Sequence, residues 1–187
     1  RGLAKARVVR VNRRQPAVTG DATGSEPQQV RRGLTRVARS IDDFTRAWTD
    51  RPLREHQLEP ARAIVRSITQ KQGQTFTVMM ARQMGKNELS AQLEAYLLYV
   101  YRRRGGTIVK AAPTFKPQLI NSKMRLEHVL SMLPADVKWE SHYGYIISLG
   151  EAAIHFLSAE ESSNVVGATA SLLLELDEAQ DVDEEKY

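Results

Sequence analysis

A glycine–lysine pair lies where a predicted strand is followed by a predicted helix, in the segment Ala81-Arg82-Gln83-Met84-Gly85-Lys86-Asn87-Glu88. In a phosphate-binding loop, backbone N–H groups and the positive end of a helix hold the β-phosphate, while a lysine reaches the β- and γ-oxygens. Gly85 and Lys86 supply the tight backbone and the cation. Against the general pattern G-x-x-x-x-G-K-[ST], Met80 stands at the first position and Asn87 at the last. The alternative for such a pair alone is an ordinary turn.

A second group of candidate residues follows the apolar run Leu172–Leu176, where the carboxylates Asp177 and Glu178 are adjacent. Side chains alternate along a strand, so these two point in different directions. One can hold the water shell of Mg²⁺ beside the lysine loop, and the other can polarise a water in line with a γ-phosphorus. The alternative is a solvated strand end that begins an acidic stretch, but the preceding lysine loop favours a nucleotide site. Glu175, inside the run, is predicted to face a polar edge of the sheet.

The elements that must position these residues alternate between strands and helices. Apolar runs predict strands at 75–80, 107–112, 137–140, 145–148, 152–157 and 171–176. Helical spacing predicts helices at 42–48 (with Asp42 as its cap), 52–68 (interrupted at Pro60), 87–103 and 117–133. This alternation predicts an α/β fold with a mostly parallel sheet flanked by helices. In such sheets ligands bind at the carboxyl ends of the strands, where both candidate loops lie.

The charge of the chain divides near residue 40. Residues 1–40 carry ten Lys or Arg and two acidic residues, a net charge of +8, whereas residues 41–187 carry 17 basic and 20 acidic residues, a net charge of −3. Residues 12–33 are rich in Gly, Pro and polar side chains, a composition that buries little apolar surface. We therefore predict a basic N-terminal arm at 1–40 and a core at 41–187. The arm can neutralise nucleic-acid phosphates, remain solvated, or bind an acidic protein.

Composition excludes several classes of site. The chain has no cysteine, so disulfides, thiolate zinc sites, iron–sulfur clusters and cysteine nucleophiles are excluded. No apolar run approaches the roughly 20 residues that a membrane-spanning helix needs. We expect a soluble intracellular protein. Because the sequence begins at Arg1 and the paired carboxylates come close to Tyr187, we also expect it to be part of a longer protein.

Three segments of the chain resemble the ATPase domain of the large terminase subunit of tailed bacteriophages, the motor that pumps DNA into a procapsid. The segments are Arg82-Gln83-Met84-Gly85-Lys86-Asn87, Ala112-Pro113-Thr114 and Leu176-Asp177-Glu178-Ala179-Gln180. The resemblance covers roughly Pro52 to Asp181. Terminases commonly lack the first loop glycine, so Met80 fits the family, whereas Asn87 replaces the commoner Ser or Thr.

The resemblance implies a P-loop NTPase type of fold, with ATP and Mg²⁺ as cofactors. It implies that Lys86 binds the β- and γ-phosphates and that Asp177 binds Mg²⁺. Asn87, at the position of the usual hydroxyl, is the second candidate for Mg²⁺ because its amide oxygen can reach the ion or its water shell. Glu178 is implied to be the general base that orients the attacking water.

Other roles implied by the resemblance concern the two sides of the nucleotide. Arg82 matches the arginine finger proposed in terminases; the alternative is a surface arginine that pairs with an acidic neighbour. Gln57, with Arg54, resembles an upstream motif that reads the edge of adenine; the alternative is an ordinary helix-surface residue. The remaining candidates for nucleotide binding are the loop residues Gln83, Met84, Gly85 and Glu88.

The resemblance also implies partners: double-stranded DNA, a portal protein, the small terminase subunit and further copies of this chain in a ring. The implied location is the bacterial host cytoplasm, on the procapsid portal. We expect an ATPase core truncated after the strand that ends in Asp177 and Glu178, with nuclease activity only in a C-terminal domain that the sequence does not contain. Two alternatives are a helicase-like DNA-dependent ATPase of another family and a non-catalytic DNA-binding or assembly adaptor with a degenerate nucleotide fold.

Overall fold

Seven strands and four helices make up the part of the chain that the computed structural model describes, which is residues 7–11 (backbone only), 40–158 and 168–179. The strands are β1 Arg7–Val11, β2 Thr75–Thr77, β3 Gly106–Ala112, β4 Glu140–His142, β5 Ile146–Leu149, β6 Ala152–Ser158 and β7 Leu173–Asp177. The helices are α1 Ile41–Trp48, α2 Glu55–Thr69, α3 Lys86–Tyr101 and α4 Ile120–Ser131. Most of the predicted basic arm, including 12–33, lies outside the described residues, as does Gln180.

One sheet joins the strands in the order β2-β1-β7-β3-β6-β5-β4. The predicted α/β class with flanking helices is confirmed, but the prediction of a mostly parallel sheet is wrong. Only β7, β3 and β6 run parallel to one another, whereas β1 is antiparallel to both of its neighbours and β6, β5 and β4 form an antiparallel meander. Short turns join the strands of the meander, and a short turn cannot make the long crossover that a parallel pair requires.

Strand β1 belongs to the predicted basic arm, yet its backbone lies within the sheet. It pairs with β7 on one side and with β2 on the other. Strand β2 is therefore the edge of the sheet, and its Thr75 and Thr77 are exposed. The prediction of a buried strand at 75–80 is wrong, because regular pairing ends at Thr77 and the buried residues are Val78 and Met80.

The helix boundaries follow local hydrogen bonding. Ser40, not Asp42, caps α1, because its Oγ accepts a hydrogen bond from the backbone N–H of Asp43 at 3.1 Å. Helix α2 continues through Pro60, so the predicted interruption is wrong. A π-helical turn precedes α4, and the extended backbone of Lys116 delays the start of the α-helix to Ile120.

Helix α3 lies at the centre of the fold and is buried on nearly every side. It contacts α1, α2 and α4 as well as β5 and β6. Leu89, Leu93 and Leu97 are in the core, as their spacing predicts, but Ser90 and Glu94 are buried too. Buried polar groups need hydrogen-bond partners, so α3 contributes polar contacts to the interior as well as apolar packing. Within the described ranges, no helix is long and apolar enough to cross a membrane.

Candidate functional site

The loop between β2 and α3 depends on a left-handed glycine. Gly85 is the N-cap residue of α3 and has φ +83°, and its carbonyl accepts the N–H of Leu89 at 3.0 Å. A Cβ on Gly85 would lie 2.4 Å from Nε2 of Gln57. Both the backbone angle and the close approach require glycine here. Lys86 is therefore fixed as the first residue of a buried helix.

The start of α2 holds this loop from the other side. Nε2 of Gln57 donates to the carbonyl of Gly85 at 3.0 Å, and Oε1 of Gln57 accepts from the backbone N–H of Arg54 at 2.9 Å. Nε2 of His56 lies 3.2 Å from the carbonyl oxygen of Met84. Gln57 is thus buried rather than on a helix surface, and the described residues leave one N–H and one lone pair of its amide for a ligand. Its role as a reader of adenine stays a prediction.

The structure brings together the lysine and the two carboxylates that sequence analysis singled out, and we call these three residues the cavity cluster. Nζ of Lys86 lies 2.9 Å from Oδ1 of Asp177 and 2.9 Å from Oε1 of Glu178. The three side chains are 7–9% exposed. Glu178 follows the end of β7 with φ +52°, and its N–H donates to Oδ1 of Asp177 at 3.0 Å. One cation thus faces two anions.

A cavity of about 680 Å³ opens beside this cluster. Its walls are formed by the loop between β2 and α3, by the segment that leads into α2, by helix α4, and by the end of β7. The lining residues are Arg51, Pro52, Arg54, Gln57, Met80, Ala81, Arg82, Gln83, Met84, Gly85, Lys86, Asn87, Glu88, Arg125 and Glu178. Five of these side chains are cationic and two are anionic, so the cavity suits a polyanion.

The predicted site residues occupy different positions in this cavity. Arg82 and Asn87 are exposed at its wall, whereas Lys86 and Glu178 are buried beside it. Asp177 is not among the lining residues; it lies behind Lys86, at the end of β7. Every residue predicted to bind the nucleotide lines the cavity, and Asp177 contacts two of the lining residues, Lys86 and Glu178.

Sequence analysis missed Arg51 and Arg125, which add two cations to the cavity. Nη1 of Arg125, on α4, lies 3.4 Å from Oε2 of Glu88, whose Oε1 accepts from Nε2 of Gln92 at 2.7 Å. The same Gln92 amide also donates to the backbone carbonyl of Arg51 at 2.7 Å. A basic residue on an amphipathic helix is ordinary, so no signal in the sequence distinguishes Arg125.

The oxygen atoms near the cavity fit Mg²⁺. This ion prefers one or two carboxylates together with substrate phosphates and water, rather than a cage made by the protein alone. Asp177 and Glu178 supply carboxylate oxygens, and the exposed side chain of Asn87, which lines the cavity, carries a further amide oxygen. Lys86 neutralises part of the charge of both carboxylates in the ligand-free protein. A divalent cation would therefore compete with Lys86 for the same oxygens.

Glu175 does not face a polar edge, as sequence analysis predicted. It is 1% exposed and lies between β3 and α3, where its Oε1 accepts the hydroxyl of Ser90 at 2.6 Å. The central position of β7 explains the difference, because a strand with partners on both sides has no open edge. The signal that could have found this arrangement is a pair of charged residues, Lys110 and Glu175, each inside an apolar strand.

Comparisons with models of known families, with curated proteins and with solved structures give no match. The geometry of the cavity therefore has to carry the functional argument.

Proposed function

We propose that the chain is the ATP-hydrolysing motor domain of a DNA-packaging machine similar to the large terminase subunits of tailed bacteriophages, with a P-loop NTPase type of fold. The observation that carries the proposal is the cavity cluster: a lysine at the start of a buried helix, bonded to two carboxylates at the end of a central strand. A cationic cavity beside it supports a triphosphate as the ligand.

In this proposal the cavity cluster exchanges partners when the substrate binds. Lys86 moves its charge from the carboxylates to the β- and γ-phosphates, and Asp177 and Asn87 hold Mg²⁺. The bound ion neutralises charge on the phosphates. Glu178 accepts a proton from the attacking water, since a carboxylate freed from its lysine is the stronger base. Mg²⁺ would replace Lys86 at Asp177, so this buried carboxylate keeps a cationic partner and avoids the cost of an isolated buried charge.

The arginines of the cavity supply further positive charge. Arg82 stabilises charge on the equatorial oxygens in the transition state, and its exposed position at the wall supports this role. Arg54 and Gln57 contact the adenine, while Gln83, Met84, Gly85 and Glu88 line the phosphate side. This division follows the resemblance stated above and agrees with the presence of all these residues around one cavity.

The partners follow from the same resemblance. Double-stranded DNA is the cargo, and the net charge of +8 at residues 1–40 supports contact with its phosphates. A portal protein, the small terminase subunit and further copies of this chain in a ring complete the machine. It works in the bacterial host cytoplasm, on the procapsid portal.

The test is Mg²⁺-dependent hydrolysis of ATP by the chain and by its Glu178→Gln variant. Glutamine keeps the size of the side chain but cannot take the proton, so turnover should fall by about 10²-fold or more while ATP still binds. Glu151→Gln is the matched control, because Glu151 is exposed in the turn between β5 and β6 and should keep wild-type turnover. An unchanged rate in Glu178→Gln would remove Glu178 as the base.

Binding and turnover together separate this function from its alternatives. A wild-type chain that binds ATP without hydrolysing it, with or without DNA, would favour the non-catalytic adaptor. Hydrolysis stimulated by DNA without any dependence on a portal protein would favour a helicase-like ATPase. Failure to bind ATP and Mg²⁺ at all would overturn the proposal.

A further inference from the structure

A second group of charges lies beneath the cavity cluster, fully enclosed by the fold. We call it the buried cluster; its members are Ser90, Glu94, Lys110 and Glu175, which are 0–2% exposed. Nζ of Lys110 donates to Oγ of Ser90 at 2.7 Å and to Oε1 of Glu94 at 2.6 Å, and it lies 3.4 Å from Oε1 of Glu175. The cluster joins three elements: α3, β3 and β7.

The buried cluster and the cavity cluster occupy the same contact between α3 and β7. Ser90 follows Lys86 by four residues on α3, so both lie on one face of the helix. Glu175 precedes Asp177 by two residues on β7, so both point to one face of the sheet. Ser90 bonds to Glu175 just as Lys86 bonds to Asp177. Two successive side-chain bonds therefore fix the position of α3 along the direction of β7.

Lys110 makes Ser90 a hydrogen-bond donor toward the carboxylates of the buried cluster. It is paired with Glu175 in the parallel β3–β7 ladder, so the two side chains lie side by side on one face of the sheet. Because the ammonium donates to Oγ of Ser90, the hydroxyl hydrogen of Ser90 is left for an acceptor. That hydrogen has two candidate acceptors, Oε1 of Glu175 at 2.6 Å and Oε1 of Glu94 at 2.7 Å, and can serve one of them at a time.

The composition of the cluster is costly if stability is its sole purpose. A buried ion pair is often replaceable by apolar residues without loss of stability. Here two carboxylates share one lysine, and Oε2 of Glu94 has no hydrogen-bond partner among the described residues. Leucine side chains would fill the same space without this penalty. The arrangement makes physical sense if the directional link between helix and strand is what matters.

We propose that Glu175 is a positioning residue for the cavity cluster: by binding Ser90 beside Lys110, it sets the register of α3 on β7 and so the distance between Lys86 and the two carboxylates. The proposal rests on the proposed function for its turnover measurement only. Ser90 and Lys110 act with Glu175. Glu94 instead holds Lys110 against α3, and the hydrogen bonds of Glu94 shown here go to Lys110 and Ser90 rather than to β7.

The test compares Glu175→Leu with Glu94→Leu. Each variant removes one carboxyl group that contacts Lys110 and leaves the other, and the two variants differ in whether the link to β7 survives. Turnover should fall about tenfold or more in Glu175→Leu with KM for ATP within about twofold, since small displacements of reacting groups cost chemistry more than binding. Glu94→Leu should keep kcat within about twofold. Thermal unfolding of both variants controls for stability.

Ser90→Ala breaks the same link from the helix side. Its effect on kcat should match that of Glu175→Leu, and the double variant should lose no more than either single variant, because both remove one interaction. Equal losses in Glu175→Leu and Glu94→Leu, or additive losses in the double variant, would show general loosening and overturn the positioning role.

A measurement without substrate separates this proposal from the proposed function. While both carboxylates bind it, the ammonium group of Lys86 is protected from exchange with water, and its ¹⁵N signal reports that contact. The signal should shift and exchange faster in Glu175→Leu and stay as in wild type in Glu94→Leu. If the wild-type chain hydrolyses no ATP, the proposed function fails. The ¹⁵N signal of Lys86 still tests whether Glu175 positions the cavity cluster. An unchanged signal in Glu175→Leu would overturn the positioning role.

Discussion

The cavity cluster and the buried cluster have the same charges, although the lysine comes from α3 in the first and from β3 in the second. Each places one lysine between two carboxylates, and each joins α3 to β7. They differ in access: Lys86 and Glu178 line a cavity, whereas Lys110 and Glu94 are 0% exposed. The cavity cluster can therefore exchange its lysine for a ligand cation, but the buried cluster has to keep the partners with which it folds.

Access also decides which properties each cluster controls. Charges that can be reached by phosphates and metal ions affect binding and turnover. Charges sealed in the interior affect the free energy of unfolding and the placement of the elements around them. Under the two proposals above, similar chemistry on one helix–strand contact serves two purposes, and variants of the two lysines compare them most directly.

The largest effects are expected from removing each lysine in turn. Lys110→Met removes the cation that Glu94 and Glu175 share and should lower the unfolding free energy by about 3–5 kcal/mol. Lys86→Met should lower it less, because Glu178 lines the cavity, where cations from solution can reach it. Lys86→Met should also abolish ATP turnover. Chemical denaturation and an ATPase assay measure the two outcomes.

Added Mg²⁺ sharpens this comparison. A ligand that binds only the folded state raises its stability by mass action. The ion can reach the carboxylates that Lys86 leaves, so Mg²⁺ should raise the unfolding midpoint of Lys86→Met more than that of Lys110→Met. Equal responses of the two variants would mean that access does not distinguish the clusters.

The sequence predicts the outer cluster far better than the inner one. Gly85-Lys86 before a helix and Asp177-Glu178 after an apolar strand are local patterns, and the α/β alternation is enough to bring such loops to one edge. The buried cluster depends on the register of β3 against β7, which pairs Lys110 with Glu175 and is decided by tertiary packing. The place of β1 between β2 and β7 has the same origin, since it leaves no local signal, whereas the antiparallel meander follows from its short turns.

Arg82 tests the cavity side of the comparison alone. Lysine keeps the charge but loses the planar group with its paired donors, so Arg82→Lys should lower kcat by up to about 10³-fold with little change in ATP affinity. Its unfolding free energy should equal that of wild type, because Arg82 is exposed. Arg104→Lys, at an exposed position after α3, is the matched control for kinetics. Full activity in Arg82→Lys would assign Arg82 to the surface.

A smaller effect is expected where a loop, rather than a regular element, holds the cavity cluster. Gly85→Ala meets a strained positive φ and displaces Nε2 of Gln57, whose bond to the loop is lost. We expect a loss of roughly 3 kcal/mol, from strain and a broken buried contact. Gly144→Ala is the control, because φ is +77° there but no atom lies within 4 Å of the added Cβ. It should cost about 1–2 kcal/mol, the strain alone.

The loop variant also separates the two clusters. Gly85→Ala should disturb Lys86 and lower ATP affinity, while the bonds of Lys110 stay intact because they come from strands and the middle of α3. Equal stability of Gly85→Ala and Gly144→Ala would contradict the close contact with Gln57.

The smallest effect is a pH dependence that belongs to the buried cluster. Glu94 faces Lys110 from β3, Glu175 from β7 and Ser90 on its own helix. Burial raises the pKa of Glu94 from 4.5 to about 7, because the loss of hydration, together with the charge of Glu175, outweighs the attraction of Lys110. At a pH between these two values, folding therefore takes up a proton.

The sign of the effect follows from the direction of this shift. A carboxyl group whose pKa is raised in the folded state adds stability that is fully present below pH 4.5 and is lost as the pH rises through about 7. In Glu94→Gln, position 94 does not titrate, so this variant lacks the loss of stability that Glu94 causes as the pH rises. The unfolding free energy of wild type should therefore fall relative to Glu94→Gln between pH 4.5 and 7, by at most about 1.4 kcal/mol per pH unit. Urea denaturation of both proteins across this range measures the difference, and parallel profiles would show that Glu94 stays ionised beside Lys110.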